Sequence, residues 1–118
     1  MTTLLVLYRA PDGGEAALET LEARYRDEHL PLVAQTPGLR ATRVWRIREA
    51  LGGETDLVLA AALDFDDRQS LDEGLRSDPM RAAGRILREI APGLATFLVV
   101  EDAADLLGPS ASDTVGLS

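Results

Sequence analysis

The chain has 118 residues, 46% of them apolar and 27% charged, with no cysteine and a formal net charge of −8. That length predicts one compact domain around a single core, and twenty acidic residues against twelve basic ones exclude the clustered positive surface that nucleic acid or an anionic membrane would need. Without a thiol there is no disulfide framework, zinc knuckle or iron–sulfur cluster, and a single histidine leaves a protein-only zinc site short of its usual donors.

The first residues are Met-Thr-Thr-Leu-Leu-Val-Leu-Tyr-Arg. No basic stretch precedes the apolar run, which is too short for a signal-peptide core or a membrane span, so a cytoplasmic protein is expected. Residues 3 to 9 stop at Ala-Pro-Asp-Gly-Gly and predict a strand buried on both faces. After Gly14 the period changes. Leu18, Leu21, Tyr25, His29 and Leu32 recur at spacings of three and four, which places them on one face of a helix. Pro31 removes a backbone donor and predicts a kink just after His29, and Thr36-Pro37-Gly38 ends the helix.

Residues 39 to 48 alternate imperfectly and predict a strand, with Ala41, Trp45 and Ile47 on one side and Arg40, Thr42 and Arg46 on the other. A Gly52-Gly53 turn leads into a third strand over residues 56 to 65, where Ala60, Ala61 and Ala62 favour a helix by propensity but follow a hairpin signal. Asp66 and Gln69 have the spacing of a capping box, with Leu71 and Leu75 facing inward behind them. Asp78 as N-cap and Pro79 at the first helical position restart the helix. Met80, Ala83, Leu87 and Ile90 then fall on its buried side, and Arg81, Arg85 and Arg88 on its wet side. Pro92-Gly93 stops it, and residues 95 to 101 are the last strand. The domain therefore spans residues 1 to 102, and residues 103 to 118 are expected to form a poorly ordered tail.

The order β-α-β-β-α-β predicts an α+β, ferredoxin-like fold: a four-stranded antiparallel sheet with both helices on one face. The first, third and fourth strands carry apolar side chains on both faces (Leu4 and Leu5, Leu59 and Ala60, Phe97 and Leu98). A sheet apolar on both sides must bury both, which predicts a homodimer packed sheet face to sheet face about a two-fold axis.

Tyr25-Arg-Asp-Glu-His29-Leu-Pro31-Leu, followed by Thr36-Pro37-Gly38-Leu39, resembles the Tyr-x-x-x-His-x-Pro … Pro-Gly-Leu signature of the EthD family, within the dimeric α/β-barrel superfamily. The resemblance covers residues 3 to 101. It implies a small protein linked to the degradation of ethers and aromatics, whose relatives include cofactor-free monooxygenases, polyketide cyclases, methylmuconolactone isomerases and haem-degrading enzymes. Fold transfers across such a group and reaction does not.

His29 is the one side chain with an ordinary pKa near neutrality, and so the natural proton carrier. With Tyr25 one turn earlier, it forms the expected catalytic pair: His29 as general base on an acidic C–H or phenol, and a tyrosine hydroxyl stabilising the oxyanion. Tyr8, Trp45 and Arg43 are the candidate substrate contacts, suited to a small apolar or aromatic ligand. Each has a plainer role open to it: His29 as a hydrogen-bonded core residue, Tyr25 and Trp45 as packing, Arg43 as a solvated or paired cation. Asp64, Asp66 and Asp67 cluster in sequence as a metal site would, but capping and the strand exit account for two of them, and no metal and no cofactor is expected. The alternatives are a non-catalytic ligand-binding or accessory dimer, and a haem-binding relative with His29 as axial ligand.

Overall fold

The computed structural model describes residues 1–108. Four strands, β1 (Thr2–Arg9), β2 (Ala41–Arg46), β3 (Leu57–Phe65) and β4 (Ala95–Glu101), form one antiparallel sheet in the order β2-β3-β1-β4. The helical layer comprises α1 (Gly14–Arg24), a π-helical segment over Tyr25–His29, α2 (Leu30–Val33), α3 (Arg68–Arg76) and α4 (Asp78–Ile90). This is the ferredoxin-like arrangement that the element order implies. Of the expected tail, residues 103 to 108 include a 3₁₀ turn at Ala104–Leu106, and the remainder lies outside the described residues.

Strand parity sorts the core. Leu4, Val6 and Tyr8 of β1 pair in register with Leu63, Ala61 and Leu59 of β3, and all six are buried under the helices. Leu5 and Leu7 point the other way and are only half-buried. The three consecutive alanines lie in β3, where Ala60 and Ala62 oppose Leu7 and Leu5. Tertiary pairing overrides their helix propensity. Phe65 and Leu71 anchor the other end of the core without exposure. Gly74 of α3 lies against Phe65: a Cβ there would sit 2.8 Å from Phe65 Cε1 and 3.0 Å from Thr36 Cγ2, so the helix approaches the ring only because that residue has no side chain.

Both predicted caps move by one residue. Asp67, not Asp66, accepts from the Ser70 amide at 2.8 Å, because Asp67 has the extended backbone an N-cap needs, and Gln69 bonds to Glu73 instead of reaching back. Ser77, not Asp78, caps α4. Its hydroxyl donates to the Gly74 carbonyl at 2.6 Å and accepts from the Met80 amide at 3.4 Å, so one residue ends α3 and starts α4, and Pro79 takes the second helical position. Leu75 does not face inward; it is 39% exposed. Among the described residues no helix is long and apolar enough to cross a membrane.

Candidate active site between the helices and the sheet

The distortion near Pro31 takes a different form from the predicted kink. Over Tyr25–His29 the helix widens to a π turn, in which the Leu30 amide bonds to the Tyr25 carbonyl five residues back. Pro31 has no N–H with which to close an ordinary turn onto Asp27, and the wide turn lies immediately before it. The π turn takes in one additional residue per bond. The buried stripe therefore runs Leu21, Tyr25, His29, Val33 at a constant spacing of four, and Val33 replaces the expected Leu32 in the core.

That geometry brings Tyr25 and His29 over the sheet, where they meet Tyr8. The Tyr25 and His29 rings stack at 4.9 Å with 24° between planes, and Tyr8 meets Tyr25 edge-on at 5.3 Å. The two tyrosine hydroxyls are 3.2 Å apart and hydrogen-bonded. Burial raises the pKa of both, so both stay protonated at neutral pH. One hydroxyl hydrogen is used between them, and the pair keeps one more to donate.

His29 is 6% exposed. Its Nδ1 lies 3.0 Å from the Ala83 carbonyl of α4. A carbonyl can only accept, so Nδ1 carries the hydrogen and Nε2 holds the lone pair of the neutral ring. Burial pulls the imidazole pKa below its ordinary value, and the Ala83 carbonyl opposes that only in part. Nε2 has no hydrogen-bond partner among the described residues, and the one fully enclosed unpartnered side-chain atom among them is Thr36 Oγ1. The Nε2 lone pair is therefore reachable from the adjoining space.

That space is a cavity of about 740 Å³, in the range of small-molecule sites. Tyr8, Tyr25 and His29 line it together with Leu4, Val6, Met80 and Leu87. Met80, expected in the core, is a half-buried wall residue. The mouth lies where the lining is exposed: Leu75, Arg81, Arg85, Arg88, Gly93 and Phe97. Phe97 is 56% exposed, as the edge strand β4 extends past the cover of the helices. The wet-side arginines of α4 thus belong to the lining. Their helical spacing was visible in the sequence; the uncovered β4 beside them was not.

The other two candidate contacts do not join this cluster. Trp45 and Arg43 pair with Ala60 and Ala62 of β3, on the sheet face turned away from the helices. Arg43 stacks over the Trp45 ring at 5.3 Å and lies 3.6 Å from Asp64, which also accepts from Thr3 Oγ1 at 2.6 Å. Trp45 borders a separate hollow of about 290 Å³ at the β2 edge. Strand parity separates both residues from His29.

No protein-family model and no curated protein matches the chain. Among solved structures, an ethyl tert-butyl ether D (EthD) family protein from Bacillus halodurans C-125 is 30% identical to it, with a TM-score of 0.78 over 86% of this chain and 98% of that one. The chain belongs to the EthD family. This EthD protein also resembles a dimeric ferredoxin-like protein of unknown function from Bacteroides fragilis NCTC 9343, at 18% identity and TM-score 0.65, covering 86% of this chain and 95% of that one. SnoaB, a cofactor-independent oxygenase from Streptomyces nogalater, aligns at 17% identity and TM-score 0.57, covering 86% and 91%. At those identities the two likenesses show the fold of the EthD chain.

Proposed function

We propose that this EthD protein is a cofactor-free enzyme in which His29 Nε2 takes a proton from an acidic C–H or phenol of a flat, conjugated aromatic or polyketide-like substrate. The observation that carries the reading is the Nδ1–H bond to Ala83, which leaves the opposite nitrogen as a lone pair beside a cavity. Proton transfer makes an imidazolium and a delocalised anion. The Tyr8–Tyr25 hydroxyl pair supplies the donor that stabilises the anion's oxygen. Return of the proton at another carbon gives isomerisation, attack on a carbonyl of the same molecule gives cyclisation, and reaction with dioxygen gives oxygenation. All three share the first step.

The test is turnover across a panel of phenols, 1,3-dicarbonyls and unsaturated lactones. His29→Ala is expected to bind a hit unchanged and to lose about 10²–10⁴-fold in kcat, the usual contribution of a general base. Equal kcat in the variant overturns the base assignment, and binding without turnover by either protein moves the reading to a ligand-binding accessory role. A Soret band on haemin titration that His29→Ala abolishes moves it to haem binding.

The same chain supports a homodimer through the open sheet face. Leu5, Leu7, Ala60, Ala62, Leu98 and Val100 share that face, and a monomer would leave it as a large apolar patch. The small alanines allow a second sheet to approach closely. Such an interface buries about 2,000 Å² or more, and sedimentation at micromolar concentration should give twice the mass of 12.7 kDa. A monomer there refutes it.

A further inference from the structure

The mouth of the cavity carries charge that the reaction as proposed does not use. Arg81, Arg85 and Arg88 lie one and two turns apart on the same stripe of α4, a row about 10 Å long at the helical rise. All three are exposed and all three line the cavity. Gly84 lies within the row and leaves its backbone bare: a Cβ there would meet only Arg88 Nη1, at 3.6 Å.

The chain carries twelve arginines and a net charge of −8. Arg24, Arg26, Arg40, Arg43, Arg46 and Arg68 each sit within 4.0 Å of a carboxylate. Among the described residues Arg9, Arg48, Arg76, Arg81, Arg85 and Arg88 form no ion pair, and of these six only the last three line the cavity. Glu89, the neighbour of Arg88 in sequence, is turned to Arg24 at 2.9 Å. Like charges one turn apart on a helix repel one another, and an anion bound across the row would relieve that repulsion. Phe97 of β4 lines the same entrance, which therefore joins a cationic rim to an apolar wall.

We propose that the cavity takes an amphiphilic acid: the apolar body lies along Leu4, Val6 and Leu87 toward His29, and a carboxylate stays at the rim on the Arg81–Arg85–Arg88 row. The guanidinium fork matches a carboxylate in two-point geometry. A neutral substrate would leave three cations at the entrance without a partner. This assignment rests on the cavity being the substrate site of His29, and it specifies which end of the substrate enters first.

The probes are 2-naphthoate and its neutral counterpart 2-naphthamide, titrated by calorimetry into the full-length protein at low salt. The acid is expected to bind at least tenfold more tightly than the amide, with the preference shrinking as salt rises. Arg81→Gln, Arg85→Gln and Arg88→Gln together should abolish the preference and leave amide binding unchanged, and His29→Ala should keep it. Equal affinity for acid and amide in the unmodified protein, or a preference that survives the triple change, overturns the proposal while the cavity reading stands. Binding of neither probe overturns both.

Discussion

The neutral state assigned to His29 has a thermodynamic signature that needs no substrate. In the unfolded chain its imidazole titrates at about 6.5; in the fold, burial holds it lower. Between those two values the unfolded state binds more protons, so stability rises with pH. The contribution is fully present above about pH 6.5 and is lost as pH falls toward the folded pKa. A tenfold change in the ring's proton affinity corresponds to about 1.4 kcal/mol, and moving from pH 7.5 to 5.5 should therefore cost stability through this ring. His29→Gln keeps an amide donor for the Ala83 carbonyl and removes the titration. Urea denaturation of both proteins at the two pH values, at one fixed protomer concentration, gives a double difference in which the shared carboxylates cancel. The unmodified protein should lose more stability than the variant. Equal losses, or a larger loss in the variant, would show that the ring is not held neutral by burial, and the general-base assignment would fall with it.

Two glycines of the helical layer should respond in opposite senses to alanine. Gly84→Ala meets ordinary contact distance and should stabilise by about 0.5–1 kcal/mol through helix propensity. Gly74→Ala forces a methyl to 2.8 Å from the buried Phe65 ring and should destabilise by about 1–2 kcal/mol after the same propensity gain; thermal melts in the reverse order would contradict the Phe65 packing. Thr36 Oγ1 is buried without a hydrogen-bond partner, so Thr36→Val should raise stability by about 1 kcal/mol, and a loss of that size in denaturant melts would mean that the hydroxyl is satisfied after all.

Much of the fold was legible because strands announce themselves by short apolar runs and helices by period. The short apolar run ending at Ala10-Pro11 marks the central strand, though not which of its faces looks inward, and the spacing of Tyr25 and His29 marks the site helix. What stayed hidden depends on one-residue choices of backbone geometry. Asp66 and Asp67 are chemically equal as caps, and only the extended conformation at Asp67 decides between them. Ser77 and Asp78 pose the same choice. Pro31 announces a disturbance in the helix without saying whether the helix bends or widens. Trp45 and Arg43 sit on a strand of nearly uniform exposure, where composition gives no sign of which face looks at the helices; only the pairing with Ala60 and Ala62 does. The arginine row was visible as a wet stripe, but its place beside an uncovered edge strand follows from tertiary packing.

The wide turn at Tyr25–His29 separates architecture from chemistry by a single codon. Deleting one residue inside it would restore an ordinary helix, and the sheet, the caps and Phe65 would keep their places. Because the wide turn already absorbs the extra residue, the flanking helix would keep its phase, and the phenol and imidazole would stand three residues apart in place of four, in a different ring-to-ring geometry. Natural variation in this scaffold could therefore silence or revive the site without disturbing the framework that carries it.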